Sequence, residues 1–300
     1  MTTVVLPYDF VGGTRAIADQ VDANFNALVN ALAGTPTLLM APTTFYVSPT
    51  GSDVTGNGLS PTSPAATVTW MYGVIAGTYN LHGQPVTIQL ANGTYNETMT
   101  MGGPLPGQMQ TIQLTIQGNM ASPNLVTVIG DPCFNVTAGA FCVIQGLTVQ
   151  SSVSNGLQSH YHGRIRFQNI DFSTCAAAHM LAARAGSIQS IGNYSIVGSA
   201  GMHVDAIQAG EIFIDAQPIN YVGTAIGFPT VTLTGTPNFS TAFARATNVS
   251  LCQIGAVFSG TATGVRSQTN YLGSINIFGQ GTTYLPGNAL GTDSNGGVTG

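Results

Sequence analysis

The ionisable side chains of this chain are few enough to be weighed one by one: eleven acids, six arginines, five histidines and no lysine in 300 residues. In the second half the acids are Asp171, Asp205, Glu211, Asp215 and Asp293. Cleaving a glycan needs two carboxylates at a fixed separation, or an arginine base beside calcium-binding aspartates. No two acids are adjacent. Asp205, Glu211 and Asp215 are the best candidate set, and they meet only if the corners of successive strands fold inward. Isolated acids on a neutral surface are otherwise solvated or hydrogen-bonded at corners, and no catalytic residue is expected.

A second pattern is richer. His160, Tyr161, His162, His179, Arg184, His203, Asp205, Arg245 and Arg266 fall in one class of strand-like run. Stacked in register at about 4.8 Å per strand, they form a polar stripe. It is either a sugar-binding face, with rings stacked on sugars and Arg or His bonding hydroxyls, or a solvent-facing edge or contact between copies. The glycan-binding candidates are His160, Tyr161, His162, Arg184, His203, Arg245 and Arg266. His160 and His162 have the type and spacing of a metal pair, but a lone H-Y-H is short of ligands; neither metal nor cofactor is expected. Cys133, Cys142, Cys175 and Cys252 lack CxxC spacing, and three fall in or beside strand-like runs. There Cys acts as a small hydrophobe, so free buried thiols are expected.

The elements that carry these residues repeat. From Cys142 a unit recurs about every 18–24 residues, opening near Cys142, Arg164, Ser187, Glu211, Val231, Val249 and Tyr271. A first run (CVIQG, RIRFQN, EIFIDA, VTLTG) is followed, after a Gly or polar corner, by a second (LTVQS, IDFS, YSIVG, INYVG, NFSTA). A third, less regular run (LQSHYHG, HMLAARAG, MHVDAIQAG) completes the unit. Three strands per unit with polar corners is the signature of an all-β fold, a right-handed parallel β-helix, whose interior is filled by stacked side chains and whose outer faces carry function.

Composition narrows the partners. Charged residues are 6% of the chain, against roughly 25% in ordinary soluble domains. Six cationic groups and a net charge of -5 cannot neutralise a row of phosphates, which excludes nucleic acid and an anionic membrane surface. No apolar run approaches ~20 residues, so no membrane insertion is expected. The start, MTTVVLPYDF, lacks the basic and apolar regions of a secretory signal, which points to a particle component made in the cytoplasm.

Ahead of the repeats, Thr14 opens a helix over 14–33, with Gly34 as its stop and Pro36 beyond. Ile17, Val21, Phe25, Leu28 and Leu32 share one face. That stripe either packs on its own domain or forms a short bundle about an oligomer axis, since no second long helix covers it. Residues 1–42 thus read as an anchoring and trimerisation segment, and 43–300 as the β domain. Within the latter, strands are expected at Val86–Leu90, 95–101, 111–117 and Val126–Ile129, with a short helix over 70–76.

Three stretches resemble known families. YVSPTGSD…GNGLSPTSPAATV, followed by VTIQLANGTYNETMTM, resembles the opening of pectate-lyase-like β-helix proteins, where it caps the solenoid and begins its first turns. That opening occurs in lyases, hydrolases and non-catalytic spikes alike. LPYDFVGGTRAIADQVDANFNALVNAL is similar to the N-terminal attachment segment of tail-fibre and spike proteins of tailed bacteriophages and gene transfer agents. INIFGQGTTYLPGNALGTDSNGGVTG resembles the close of prophage β-helix proteins, with Val298-Thr299-Gly300 where an aromatic is usual. Galacturonan hydrolases of this fold carry NxD, DD, GHG and RxK in succession. Here there is no DD and no lysine, and Tyr161-His162-Gly163 alone echoes GHG. Pectate lyases set a lysine and arginines beside clustered aspartates, and again the lysine is missing.

The resemblance implies a virion fibre or spike. It would be a homotrimer, docked to other virion proteins through its N-terminal segment, that attaches a phage or gene-transfer-agent particle to host cell-surface polysaccharide without cutting it. The alternatives are a polysaccharide-degrading tailspike, hydrolase or lyase, and a structural adaptor that carries another receptor-binding protein.

Overall fold

Strict alternation is what makes these segments strands. In Val86–Leu90 the residues Val86, Ile88 and Leu90 are buried while Thr87 and Gln89 are half-exposed, the period of two that a sheet with one covered face imposes. The computed structural model describes residues 6–9, 15, 17–32, 35–110, 113–215 and 227–300. Among them, 23 strands join one sheet in which every pairing is parallel, so the all-β expectation holds.

The chain passes again and again through three ladders of parallel strands. In the first, Phe141, Arg164, Ser187, Glu211, Leu251, Ser274 and Val298 are successive partners, at steps of 23, 23, 24, 40, 23 and 24 residues. The second stacks Tyr95, Val128, Val149, Phe172, Ile196 and Leu233. The third stacks Met99, Phe134, Leu157, Met180, Val204, Ala244 and Ser267. Register in a half-buried strand is fixed because a one-residue slip would turn every apolar side chain outward. Columns of like residues result: Cys142, Ile165, Ile188, Ile212, Cys252 and Ile275 lie one above another, all buried. Cys142 and Cys252 are thus small members of an isoleucine column, and all four cysteines are free and buried. Burial pushes the Cys133 and Cys142 thiols up to about 12.

Polar residues bind the levels from outside. Gln117 Nε2 donates to Gln89 Oε1 at 2.9 Å, Gln145 to Gln117 at 2.6 Å and Gln168 to Gln145 at 2.8 Å. Their positions are in register, so each amide serves as donor to one level and acceptor from the next, a use of neutral side chains that needs no ion pairs.

The repeat phasing needs one correction. Val231 does not open a unit: it pairs with Tyr194 in the second ladder, so VTLTG is the second run of the unit that opens at Glu211. NFSTA likewise belongs to the third ladder, in the strand Asn238–Thr247 that pairs with Ala200–Ile207. A V-T-L-T alternation reads the same on any ladder, and the 40-residue step broke the period. The expected run INYVG (219–223) lies outside the described residues.

Two helices stand beside the sheet. The first, α1, spans Ala18–Leu32; the expected ends Thr14 and Ala33 lie outside the described residues. Ile17 precedes it and accepts from Gln20 N and Val21 N at 3.0 and 3.2 Å. Asn24 clasps the stretch 6–9, accepting from Tyr8 N at 3.0 Å and donating to Tyr8 O at 2.8 Å. Ile17, Phe25 and Leu28 are exposed and Val21 is half-buried; the Leu32 side chain lies outside the described residues. The linker after α1 is tied down: Thr37–Leu38 pairs with Tyr79–Asn80, and Leu39 N donates to Asn80 O at 2.9 Å.

The second, α2, spans Val68–Thr78 and fills the end of the core with Val68, Met71, Tyr72 and Ile75. Its N-terminal amides are held by the acids of the capping motif. Asp53 accepts from Ala66 N at 2.7 Å, Thr67 N at 3.1 Å and Thr67 Oγ1 at 2.7 Å. Glu97 accepts from Val68 N at 2.9 Å and Thr69 N at 3.4 Å. Carboxylates suit this place because the first turn of a helix presents unpaired N–H groups. Tyr95 adds a clamp, its one hydroxyl proton shared between Val47 O and Ala91 O at 3.0 and 2.9 Å. The acids of YVSPTGSD and GTYNE are therefore fastenings.

Candidate functional site

From Phe134–Thr137 onward, each third-ladder strand leaves its level through the same tight corner. Two consecutive residues adopt left-handed backbone: Ala138-Gly139, Tyr161-His162, Arg184-Ala185, Gln208-Ala209, Asn248-Val249, Tyr271-Leu272 and Asn295-Gly296, the first members at φ between 45 and 57° and the second between 59 and 78°. Two left-handed residues in a row make a mirror-image turn, closed by bonds such as Gly163 N to His160 O and Gly210 N to Ile207 O, both 3.0 Å. Corners also bond level to level, as Ala209 N does to Asn248 O at 3.1 Å and Val249 N to Tyr271 O at 3.1 Å. Most of these positions are not glycine, each at roughly 1–2 kcal/mol of local strain. The following residue is glycine at five of them because the next chain lies against it: a Cβ on Gly186 would stand 2.2 Å from Ser159 O. Tyr161-His162-Gly163 is thus a corner turn.

The corner column is exposed. Tyr161 and Tyr271 keep 50% and 56% of their surface, and Arg184, Gln208, Asn248 and Asn295 are open to solvent between and beyond them. Arg184 sits over the Tyr161 ring, 5.0 Å from its centroid, a stacking suited to a planar guanidinium. His160 packs at the side of Tyr161, ring centroids 5.0 Å apart; burial, then the Arg184 charge, hold its imidazole below the usual range. His162 occupies the second, exposed corner position. Among the described residues no group of three or more His, Cys, Asp or Glu is placed to hold a metal ion.

Five expected stripe residues, His179, His203, Asp205, Arg245 and Arg266, stand elsewhere. His203 is fully buried, as is His179. The third-ladder strand Ala200–Ile207 is covered on both faces after an irregularity at Ala200/Met202, and His203 turns inward among Phe172, Tyr194, Phe239 and Phe243. It cannot meet a glycan. Arg245 is bound to Asp205, Nε to Oδ1 and Nη2 to Oδ2, both 2.8 Å, with Asp205 nearly buried. Arg266 donates from Nη1 to Ala289 O at 3.2 Å and lies partly beneath the C-terminal segment. The alternative acid set is also dispersed: Asp205 lies on the third ladder in a two-pronged ion pair, while Glu211 opens the first ladder beyond the Gln208-Ala209 corner.

Sequence reasoning passed over Gln208, Asn248, Tyr271 and Asn295, and also Arg164 and Arg166. The available signal was the recurring tripeptide that closes five of the seven third runs: YHG, RAG, QAG, YLG, NGG. Comparison with family models, with curated proteins and with solved structures finds no match to this chain.

Proposed function

We propose that the chain is a right-handed parallel β-helix that serves as a fibre or spike of a virion, fixing the particle to a bacterial surface glycan. The observation that carries the reading is the corner column. Side chains at one-level intervals, about 4.8 Å apart, present two tyrosine rings, an arginine and several amides along one edge. Rings that stack on sugars, with amides and guanidinium that bond hydroxyls, suit a linear polysaccharide without any tuned carboxylate. Levels of 23–24 residues through three parallel ladders support the β-helix. The apolar, outward-facing side of α1 and the resemblance of residues 6–32 to attachment segments support docking and trimer formation at that end. Weak single sites gain strength from several copies on one particle.

The test is retention on immobilised lipopolysaccharide, capsule and teichoic acid, with reducing ends followed in parallel. Binding to at least one of them without release of oligosaccharide is expected, and it should weaken in the Tyr161→Ala, Tyr271→Ala double variant. Release of oligosaccharides would favour the polysaccharide-degrading reading instead. Failure to bind any envelope glycan would leave only the adaptor.

A further inference from the structure

Cationic groups are scarce here, yet three of the six arginines stand together. Arg164 and Arg166 flank buried Ile165 and so share the outer face of one strand. Arg184 occupies the next corner, three residues before Ser187, the register partner of Arg164. Beside that corner lies a groove of about 230 Å³ lined by Arg164, Arg166, Ser187, Gln189, Glu211 and Phe213. Neither Arg164 nor Arg184 has a carboxylate in ion-pair range among the described residues. The groove's one acid, Glu211, is two register steps from Arg164, about 10 Å at strand spacing.

Like charges gathered on neighbouring strands repel one another, and of the chain's eleven acids none stands in ion-pair range of Arg164 or Arg184 among the described residues. The cluster makes physical sense when an anion completes it. All three groups are arginine, whose flat fork takes a carboxylate or phosphate through two parallel bonds, where a lysine would offer a point charge. Arg184 is oriented by the Tyr161 ring beneath it, which leaves that ring's outer part for a sugar. Glu211 and Ser187 offer an acceptor and a hydroxyl to the sugar's own hydroxyls. We infer that this groove and the Tyr161–Arg184 corner form a binding site for an acidic saccharide, its carboxylate or phosphate held by Arg164 and Arg184. The inference rests on the adhesion reading for the nature of the partner, and on the arginine cluster for its charge.

The full chain is titrated with oligogalacturonate, poly(glycerol phosphate) and neutral dextran. At least one acidic probe is expected to bind, dextran not, with binding weakened as salt screens the charges. The Arg164→Gln, Arg184→Gln double variant should lose at least ~tenfold in affinity for that probe, with its far-UV spectrum and Tm unchanged. Oligogalacturonate alone binding assigns a uronate; poly(glycerol phosphate) alone assigns a phosphate. Dextran bound as tightly as the acidic probes, acidic binding indifferent to both substitutions, or no binding to any probe would overturn the site. None of those three results touches the adhesion reading, which is judged by retention on whole envelope glycans.

Discussion

His179 and His203 meet nitrogen to nitrogen in the core, their Nδ1 atoms 3.0 Å apart and both residues without exposed surface. One must donate and the other accept, so the contact cannot form with both rings protonated, and burial disfavours a charge on either. Tyr194 Oη lies 2.9 Å from His203 Nε2 and extends the chain of bonds. Burial pushes His179 down to about 3 and His203 well below the usual imidazole range, the second helped by the first.

The first prediction is acid sensitivity that begins near neutrality. Above pH ~6.5 both folded and unfolded imidazoles are neutral and stability is full. As pH falls below that, the unfolded chain takes protons that the folded one refuses, so stability drops, by up to about 1.4 kcal/mol per pH unit for each ring. Glu97, Asp171 and Asp215, held above their usual range by burial, act in the opposite direction. The measurement is therefore a difference: urea unfolding from pH 7.5 to 4.5 for wild type and for His179→Leu, His203→Phe. The variant should lose the acid-side decline; equal slopes would mean the pair is not a buried neutral one.

The second concerns the motif acids. Asp53→Ala removes the acceptor of three bonds at the entrance to α2 and is expected to destabilise by about 1–3 kcal/mol. Glu97→Gln keeps an oxygen that can accept from Val68 N, and should lose less than Glu97→Ala. Denaturant midpoints at constant m-value rank the three. Asp53→Ala as stable as wild type would deprive the motif of its fastening role.

How much of this was legible follows from what strands write into sequence. Val86–Leu90 and Val126–Ile129 were read to the residue because alternation with β-branched side chains leaves one interpretation. The pairing of Val231 was not, because identity of ladder depends on which strand lies above, and that is absent from local pattern. His203 misled for a related reason: a period-two rule sends alternate residues outward, and the irregularity at Ala200/Met202 cancels it. The corner column was the larger omission. Left-handed backbone is announced by glycine or asparagine, whereas Tyr161-His162 and Arg184-Ala185 adopt it under the pull of the corners above and below. Tyr161 and Arg184 were expected on one stripe from their residue types and do meet; the turn that brings them together was not foreseen.

Those corners give the third prediction, a reversal of the ordinary Gly/Ala order at adjacent positions. A Cβ on Gly210 would lie 2.1 Å from Ala182 O, a backbone atom, so Gly210→Ala must displace a neighbouring level and should destabilise by roughly 1–3 kcal/mol. Ala209, at φ 59°, already bears a Cβ in left-handed backbone. Ala209→Gly relieves about 1 kcal/mol of that strain, offset in part by the freer unfolded chain, and should be neutral or stabilising. Thermal unfolding of the two variants decides the matter; loss of stability in Ala209→Gly comparable with that in Gly210→Ala would contradict the corner geometry.

The last prediction is that α1 joins three copies. Ile17, Phe25 and Leu28 are exposed in the single chain, and Phe25 and Leu28 with Leu6, Tyr8 and Val21 border an open groove. Covering each large side chain is worth about 1.5–3 kcal/mol, enough in sum to hold an assembly at micromolar concentration once its ordering cost is met. Three rods side by side can bury this stripe and shield their long faces, which sets the expected number at three. Light scattering of the wild type should report a trimer, and Phe25→Asp or Leu28→Asp a monomer with unchanged β signal, because these residues stand outside the sheet's core cluster. Removal of residues 1–34 should act in the same way, whereas a cut at Thr43 also takes Thr37–Leu38 from Tyr79–Asn80 and should lower Tm besides. A wild-type monomer at micromolar concentration would end the trimer proposal and leave the apolar face of α1 to a different partner.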